Sequence, residues 1–492
     1  MSKTTLVASL TTPPSTEGEE IRRLPPEVGY LEVRADLVES VDPDWLRDRF
    51  AGELIYTLRS RAEGGGFQGG TRSRQRRLRQ AAETFDLIDL EGERDLEDEL
   101  LADLPPAKRL ISWHGPPTPL AGLMSRFEQL AATEARFYKL IPEAKQAIDA
   151  TRPLALLKAL QRDDVVAFAM GDNGIWTRLL APRLGSPLVY GSLGEVAAAP
   201  GQLTVKRLMA DFGLPRMDPA EGLFGIVGKP VMHSLSPRLH NGAYAELGVP
   251  GLYVPFHADS FGDFWLDLVE AGSLDGLGIP LWGLSVTSPY KEVALAVAGH
   301  ATSRAQYIGA ANTLVLRGNV WEAESTDPEG VVLALRHAGV EIEKVPAAVV
   351  GCGGAGKAAA VGLQAAGAEV TLVNRGAERG RKASMELRLP FVPLADFDPG
   401  DFAILIQATA LGHREDDALP FAPERLQPGA TVVEMVYGGR STRLARAARE
   451  LGHLAIDGRE VLMQQALDQF RLMTGCTLEE PLARKILELD DL

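Results

Sequence analysis

The first 210 residues alternate short β-rich runs with helix-like stretches, and this alternation limits the possible folds more than any other feature. The runs predicted as strands are 4–10, 28–34, 53–59, 85–91, 108–114, 136–141, 164–170 and 187–191. Segments such as DPDWLRDRF and AKQAIDATRPLALLKALQ lie between them and have a helical pattern. Eight βα units in about 200 residues are typical of a (β/α)8 TIM barrel, although a doubly wound sheet uses the same units.

Five ionisable side chains lie at or near the C-terminal ends of four of these predicted strands. They are Glu32, Arg34, Arg59, His114 and Lys139. Active sites of (β/α)8 barrels form at that end of the strands, so we expect these groups to converge on one mouth. The arginine-rich stretch 71–80 is predicted to be a solvated helix face with no assigned function.

A connector separates this region from the rest of the chain. Residues 211–223, DFGLPRMDPAEGL, have the Pro, Gly and acidic content of a linker, and a chain of 492 residues is too long for one hydrophobic core. We predict a barrel over 1–212, a linker over 213–222 and a second α/β part over 223–492. Within that part we expect a substrate lobe (223–325), a Rossmann lobe (326–460) and closing C-terminal helices (461–492).

A glycine-rich turn predicts a dinucleotide site in the Rossmann lobe. Gly351, Gly353 and Gly356 form G-x-G-x-x-G directly after an apolar strand, and an Ala-rich helix and a second strand follow. This spacing allows a tight turn and presents a helix N-terminus to a pyrophosphate, so Gly354 and Ala355 are also predicted to contact the cofactor.

The end of the following strand predicts which dinucleotide binds. An NAD site usually has Asp or Glu there, whereas this chain has Asn374 and Arg375, with Arg379 and Arg381 nearby. A guanidinium binds a 2′-phosphate through charge-assisted hydrogen bonds. The sequence therefore predicts NADP.

Composition excludes several other classes of protein. A net charge of −15 argues against general affinity for nucleic acid or anionic membranes. The two cysteines, Cys352 and Cys476, exclude a disulfide framework or a cysteine-rich metal site, and no metal is predicted. No apolar run approaches the length of a membrane span and no signal peptide is evident, so a cytoplasmic protein is expected. The sequence leaves the oligomeric state undetermined.

The motifs of the second half resemble the shikimate dehydrogenase family. GKPVMHSLSPRLHN (228–241), SVTSPYK (285–291), GAANT (309–313), STDPEG (325–330) and IDGREVLMQQA carry the resemblance across 223–492. It implies Lys291 and Asp327 as the catalytic pair. It further implies substrate ligands at Ser234, Ser236, Thr287, Asn312, Tyr437 and Gln465, and we add Thr409 and Gly458 to the predicted cofactor contacts.

The second half departs from that family pattern at three positions. Ser285 stands where the family often has Asn, Gln407 begins a motif that commonly begins with Asn, and Gly376 replaces a common Thr. We expect the first to affect substrate geometry and the other two to affect cofactor affinity.

The first half resembles type I 3-dehydroquinate dehydratase, a (β/α)8 barrel family. LEVRAD (31–36), YTLRSRAEGG (56–65), ISWH (111–114), RFYKLIPEA (136–144) and AAAPGQ (197–202) carry the resemblance. It implies Lys139 as the Schiff-base lysine, His114 as the general acid and base, and Glu32 as the residue that orients His114. The implied substrate ligands are Arg34, Arg59, Arg178 and Gln202.

Two further features of this half bear on its site. Ala198 replaces a Ser found in some relatives, which implies one hydrogen bond fewer. The glycine stretch 64–70 is interpreted as a lid loop over the barrel mouth.

Together the resemblances imply consecutive steps: dehydration of 3-dehydroquinate to 3-dehydroshikimate, then NADPH-dependent reduction to shikimate. Two alternatives stay open on the sequence alone. One is a non-catalytic sensor of these metabolites, which predicts loss of the chemical residues. The other is oxidation of quinate or shikimate by the second half, which predicts an NAD site.

Overall fold

The computed structural model describes residues 4–38, 41–438 and 441–489. Two compact units are present. The first comprises the chain up to Glu221 together with Val254–Pro280, and the second comprises Gly222–Tyr253 and the chain from Leu281 onward. No helix in the described residues is long and apolar enough to cross a membrane.

Eight parallel strands build the first unit. They are β1 Thr5–Leu10, β2 Val28–Arg34, β3 Glu53–Thr57, β4 Leu87–Glu91, β5 Arg109–Gly115, β6 Phe137–Pro142, β7 Val165–Ala167 and β8 Leu188–Ser192. The order β7-β6-β5-β4-β3-β2-β1-β8 gives a nearly closed cylinder. The strands are rich in buried Leu, Ile and Val, as expected for strands covered on both faces. The prediction of a (β/α)8 barrel is confirmed.

Helices alternate with the barrel strands. They are α1 Pro14–Arg22, α2 Pro43–Arg47, α3 Thr71–Ala82, α4 Asp98–Asp103, α5 Leu120–Ala131, α6 Ala147–Leu160, α7 Ile175–Leu180 and α8 Val205–Phe212. Short 3-10 turns occupy Arg61–Glu63, Pro106–Lys108, Asp172–Gly174 and Ala181–Leu184. Gly213 ends α8 in the left-handed conformation, and irregular backbone continues to Glu221.

The arginine-rich helix α3 differs in part from its prediction as a solvated face. Arg74 is buried, and its guanidinium forms two hydrogen bonds of 2.7 Å with the Asp95 carboxylate. The partner lies 21 residues away in the sequence, so the charge pattern of the helix alone did not reveal the pair.

A six-stranded mixed sheet follows the barrel. Its strands are β9 Gly222–Gly228, β10 Gly251–His257, β11 Leu281–Val286, β12 His300–Ala301, β13 Thr313–Arg317 and β14 Val320–Glu324, in the order β10-β9-β11-β13-β14-β12. The helices of this stretch are α9 Ser236–Leu247, α10 Phe261–Phe264, α11 Ser273–Leu277, α12 Lys291–Val297 and α13 Ser303–Ile308, with a π-helical turn at Trp265–Glu270. The division between the compact units falls within β10.

The remaining sheet is fully parallel. Its strands are β15 Pro346–Val350, β16 Glu369–Asn374, β17 Phe391–Pro393, β18 Ile404–Gln407, β19 Thr431–Glu434 and β20 Leu454–Ile456. The order β17-β16-β15-β18-β19-β20 is the 3-2-1-4-5-6 order of a Rossmann fold. The helices are α14 Asp327–His337, α15 Gly354–Ala365, α16 Ala377–Leu387, α17 Arg443–Glu450, α18 Gly458–Thr474 and α19 Glu480–Leu487. The predicted Rossmann lobe is therefore present.

Two candidate active sites

The barrel mouth surrounds a buried lysine. Lys139 lies on β6, and its Nζ is 3.8 Å from Glu32 Oε1, 3.7 Å from Asp89 Oδ2 and 4.0 Å from the centre of the Tyr190 ring. Burial lowers the pKa of Lys139 against the opposing pull of Glu32 and Asp89, and the cationic Arg59 lowers it further. A lysine with a lowered pKa has more of the neutral amine that attacks a carbonyl.

Arg59 links this lysine environment to the neighbouring strands. Its guanidinium donates to Asp89 Oδ2 at 2.7 Å, to Ser112 Oγ at 2.8 Å and to Glu63 Oε2 at 3.0 Å. Ser112 Oγ in turn donates to Asp89 Oδ1 at 2.5 Å. All of these side chains are buried, so the ionic network is shielded from solvent.

His114 lies at the end of β5 and contacts Glu63, not Glu32. Its Nδ1 is 3.0 Å from Glu63 Oε2, and its backbone N–H donates to the same oxygen at 3.1 Å. Burial holds the pKa of His114 well below its usual value, with Arg59 the next cause. Burial also raises the pKa of Glu63 to about 8, despite the opposing charge of Arg59.

The prediction that Glu32 orients His114 is therefore wrong. The Glu32 carboxylate accepts instead from Ser9 Oγ at 2.6 Å and Thr57 Oγ1 at 2.9 Å. These two bonds form because β1, β2 and β3 are neighbours in the sheet, and Glu32 Oε1 also lies 3.8 Å from Lys139 Nζ. Glu63 was missed, and the only signal for it was its position four residues after Arg59 in the motif RSRAE.

Two other predicted ligands, Arg34 and Gln202, lie at the same mouth. Arg34 forms two hydrogen bonds to Asp36, of 3.0 and 2.8 Å, and a third to the Ala198 carbonyl at 3.0 Å. Gln202 donates to Ser9 Oγ at 3.2 Å and accepts from the Ala198 N–H at 2.8 Å. Position 198 thus contributes its backbone to the site.

Arg178, on α7, is buried, and its guanidinium has few hydrogen-bond partners. Its guanidinium lies 4.1 Å from the centre of the Phe168 ring and donates to the Tyr190 carbonyl at 3.4 Å. Its Nε has no hydrogen-bond partner among the described residues, and burial lowers its pKa to about 10. A buried, under-bonded guanidinium fits an anionic ligand such as a carboxylate.

The second unit contains a cavity of about 780 Å³ between its two sheets. The predicted residues that line it are Ser236, Thr287, Lys291, Asn312, Gly351, Gly353, Gly354, Ala355, Asp327, Asn374, Arg375, Arg379, Thr409, Tyr437, Gly458 and Gln465. Ser234 reaches the site through Tyr437, whose hydroxyl lies 3.4 Å from Ser234 Oγ. Gly356 packs beneath the turn.

Lys291 and Asp327 form an ion pair on the wall of this cavity. Lys291 Nζ lies 2.5 Å from Asp327 Oδ2, and each residue is the first of its helix, α12 and α14. Asn312 Nδ2 donates to Asp327 Oδ1 at 2.9 Å and to Gln465 Oε1 at 3.0 Å. The pair is thereby held by neutral amides.

Sequence reasoning missed a second row of polar groups behind this pair. The Tyr253 hydroxyl donates to Ser285 Oγ at 2.5 Å, and Ser285 donates to Gln469 Oε1 at 2.7 Å. Gln469 donates to Thr313 Oγ1 at 2.8 Å. Ser285, which departs from the family pattern, therefore has a hydroxyl that is hydrogen-bonded to both Tyr253 and Gln469.

The glycine turn has the backbone that a dinucleotide site needs. Gly351 has φ of +113°, and a Cβ there would lie 2.7 Å from the Ala408 carbonyl oxygen. A Cβ on Gly356 would lie 1.8 Å from the Gly351 oxygen. Positions 351 and 356 are therefore restricted to glycine, and the turn leads directly into α15, whose N-terminus suits a pyrophosphate.

Basic side chains lie beside this turn. Arg375 is exposed at the end of β16, and Arg379 donates through Nε to the Cys352 carbonyl at 3.1 Å. Arg379 Nη2 also lies 3.2 Å from Glu292 Oε1, a pairing the sequence did not predict. Gln407, a departure from the family pattern, bonds the Leu411 carbonyl at 2.7 Å. The arginines fit the phosphate of NADP.

His337, Glu460 and Glu480 are grouped closely enough to hold a metal ion. The two glutamates are already paired with a cation, because the Arg484 guanidinium bonds Glu460 at 2.6 Å and Glu480 at 2.9 Å. These acids are thus neutralised by an arginine.

Comparison with known proteins gives consistent matches over both halves. The family model for Type I 3-dehydroquinase matches residues 9–213, and that for the shikimate dehydrogenase substrate binding domain matches 226–314. The chloroplastic bifunctional 3-dehydroquinate dehydratase/shikimate dehydrogenase of Arabidopsis thaliana is 31% identical over 500 residues, covering 93% of this chain and 80% of that protein.

Other relatives match the second half. Shikimate dehydrogenase (NADP(+)) of Rubrobacter xylanophilus is 38% identical over 273 residues, covering 53% of this chain and 94% of that protein. The crystal structure of shikimate dehydrogenase from Aquifex aeolicus superposes with a TM-score of 0.50 at 26% identity, covering 54% of this chain and 97% of that one.

Proposed function

Because this chain belongs to the family of bifunctional 3-dehydroquinate dehydratase/shikimate dehydrogenases, we propose that it catalyses both reactions. The barrel converts 3-dehydroquinate to 3-dehydroshikimate, and the second unit reduces that product to shikimate with NADPH. The observation that carries the proposal is the presence of a buried lysine with a lowered pKa in one unit and a Lys–Asp pair beside a dinucleotide turn in the other.

In the barrel, the neutral Lys139 amine attacks the substrate ketone, and loss of water gives an iminium. His114 removes a proton from the carbon next to the iminium, and the electron pair moves to the nitrogen. The same imidazole then protonates the departing hydroxyl, and hydrolysis of the iminium frees Lys139. Arg178 binds the substrate carboxylate, which its unpaired Nε supports.

Glu63 holds the imidazole in place for these proton transfers. Its carboxyl bonds His114 Nδ1, which leaves Nε2 for the substrate. Glu32 and Asp89 hold Lys139 from below. Arg34, Arg59 and Gln202 shape the mouth around the ring hydroxyls and carboxylate.

In the second unit, NADPH bound at the glycine turn supplies the hydride that reduces the ketone. The chain supplies the proton, because Lys291 Nζ, held by Asp327, donates to the carbonyl oxygen. Ser234, Ser236 and Tyr437 bind the carboxylate through hydroxyl donors. Asn312, Thr287 and Gln465 bind ring hydroxyls, and Arg375 with Arg379 binds the 2′-phosphate.

We also propose that the functional boundaries are 1–212 for the dehydratase, 213–222 for the linker and 223–492 for the reductase, which the irregular backbone of 213–221 supports. A cytoplasmic location fits the free thiols of Cys352 and Cys476. The net charge of −15 argues against nucleic acid as a ligand, and the arginines of the two sites are suited to small anionic metabolites.

The test is a single reaction of purified protein with 3-dehydroquinate and NADPH. NADPH loss with shikimate as product is the expected result, since both sites and their order are then required. If NADPH is consumed only after 3-dehydroshikimate is added, the barrel proposal is wrong. If neither substrate gives turnover, both catalytic assignments fail.

A further inference from the structure

One stretch of the reductase sequence packs with the dehydratase barrel. Residues Val254–Pro280, here called the brace segment, fall inside the range matched by the shikimate dehydrogenase substrate binding domain, yet they form one compact unit with the barrel. The segment comprises the end of β10, α10, the π-helical turn and α11. It contacts the barrel at the elements that follow β6 and β7.

The first set of contacts is at the loop before α7. Asn173, in the 3-10 turn Asp172–Gly174, donates from Nδ2 to the Lys145 carbonyl at 3.0 Å and to Asp259 Oδ2 at 3.3 Å. Asp259 is also held by His257, whose Nε2 lies 3.5 Å from its other oxygen. One side chain thus ties the loop after β6, the loop after β7 and the brace segment together.

The helix that follows packs on the same segment. The Trp176 ring lies 5.4 Å from the Phe256 ring, and both are fully buried. Arg178 is two residues further along α7, about 200° around the helix, so one side of α7 faces the brace segment while the opposite side presents Arg178 to the mouth. Since Arg178 has few bonds of its own, its position depends on how α7 is held.

The second set of contacts is at α6, the helix after the strand that carries Lys139. Asp267 Oδ2 accepts from the backbone N–H of Ile148, in the first turn of α6, at 3.2 Å. Such N–H groups lack a partner within the helix, and a carboxylate there is favourable. At the other end, Lys158 Nζ donates to the Gly276 carbonyl at 2.7 Å.

We propose that the brace segment is a structural part of the dehydratase site. Asp259 and Asp267 are positioning residues, which act through Asn173 and the start of α6 to hold the two mouth loops and Arg178. This inference rests on the proposed dehydration of 3-dehydroquinate. It means that reductase sequence determines how tightly the barrel binds its substrate.

The test uses the full-length protein with Asp259→Ala and Asp267→Ala combined. Dehydration is followed with 3-dehydroquinate alone through the absorbance of the conjugated enone product, and shikimate oxidation with NADP+ is measured separately. We expect the KM for 3-dehydroquinate to rise roughly 10-fold, because two charged hydrogen bonds are lost, while its kcat changes by less than about 2-fold. Shikimate oxidation stays unchanged.

Two matched variants show whether the effect is specific. Asp263→Ala removes an exposed acid from the same segment and is expected to leave both reactions unchanged. Asp259→Asn keeps an acceptor for Asn173 and is expected to bind 3-dehydroquinate like the wild type. A double variant whose KM equals that of Asp263→Ala overturns the inference, as does a parallel loss of both activities. Absence of dehydration in the wild type refutes the proposed function instead.

Discussion

The two sites of this chain differ in how many charged groups surround the predicted catalytic lysine. The barrel mouth buries an ionic network in which Lys139 lies within ion-pair distance of Glu32 and Asp89, and Arg59 donates to Asp89. In the second unit, the predicted substrate end of the cavity has the ion pair Lys291–Asp327 among hydroxyl and amide groups.

The difference follows from which group performs the chemical step, a side chain in the barrel and a cofactor in the second unit. Schiff-base formation needs a neutral amine, so the barrel must lower a lysine pKa, and burial does this for Lys139, assisted by Arg59 and opposed by Glu32 and Asp89. Hydride chemistry is supplied by a cofactor, so the second site needs orientation and one proton donor. Neutral hydrogen-bonding groups orient a substrate without the desolvation cost of buried charge.

The strongest test of this comparison removes each lysine in turn. Lys139→Ala is expected to reduce dehydration by roughly 10⁴-fold or more, since the covalent route is lost, while shikimate oxidation stays near wild type. Lys291→Ala is expected to lower shikimate oxidation by roughly 10²–10⁴-fold, the usual share of a proton donor, and to spare dehydration. Both rates are measured separately on each variant. Loss of both activities in either variant contradicts independent chemistry.

Much of the fold was predictable because the signal is local. The run 28–34 was predicted with the bounds the structure has, since Val28, Tyr30 and Val33 are residue types enriched in strands. The run 164–170 was predicted too long, and β7 ends at Ala167. The residues beyond it turn towards the 3-10 helix at Asp172, a change that strand-like composition does not reveal.

The partners within the sites were less predictable because they join distant segments. Motifs located His114 and Lys139, but the pairing of His114 with Glu63 joins two residues 51 positions apart through the folding of a 3-10 turn. The burial of Arg74 against Asp95 and the packing of Val254–Pro280 on the barrel are of the same kind. Periodicity describes one element at a time and gives no information on such pairs.

Exchanging the carboxylates of the barrel sharpens the comparison next. Glu63→Gln is expected to lower the kcat of dehydration by roughly 10²-fold and to change its pH profile, because the proton-transferring imidazole loses its carboxyl partner. Glu32→Gln is the matched variant and is expected to act on Lys139 instead. It should slow formation of the iminium between Lys139 and the substrate, which is measured by trapping that adduct with borohydride. An unchanged pH profile in Glu63→Gln would falsify the assignment of Glu63.

In the second unit, positive charge is expected to affect binding of the cofactor phosphate. Arg375→Ala is expected to raise the KM for NADPH by roughly 10–100-fold, since charge-assisted bonds to the 2′-phosphate are lost, and to leave the KM for NADH unchanged. Arg381→Ala is the control, because Arg381 is exposed and does not line the cavity. Steady-state kinetics with both cofactors decide the matter, and equal effects on NADPH and NADH contradict a phosphate-binding role.

The smallest expected effect concerns a buried carboxyl at the edge of the neutral site. Glu434, at the end of β19, accepts from the Val436 N–H at 3.0 Å and from Thr442 Oγ1 at 2.9 Å, and it precedes the stretch that carries Tyr437. Burial raises the pKa of Glu434 to about 8. Near neutral pH the group is therefore largely protonated, which keeps this side of the cavity uncharged.

A raised pKa in the folded state makes stability fall with rising pH. The folded protein holds the Glu434 proton up to about pH 8, whereas the unfolded chain releases it near the ordinary value of about 4.3, so the contribution is complete below that value and is lost by about pH 8. We expect the melting temperature of the transition that NADP+ stabilises to fall by a few degrees more in wild type than in Glu434→Gln between pH 5 and pH 9. Parallel curves for the two proteins would show that Glu434 is ionised in the fold, and that the second site also tolerates a buried charge.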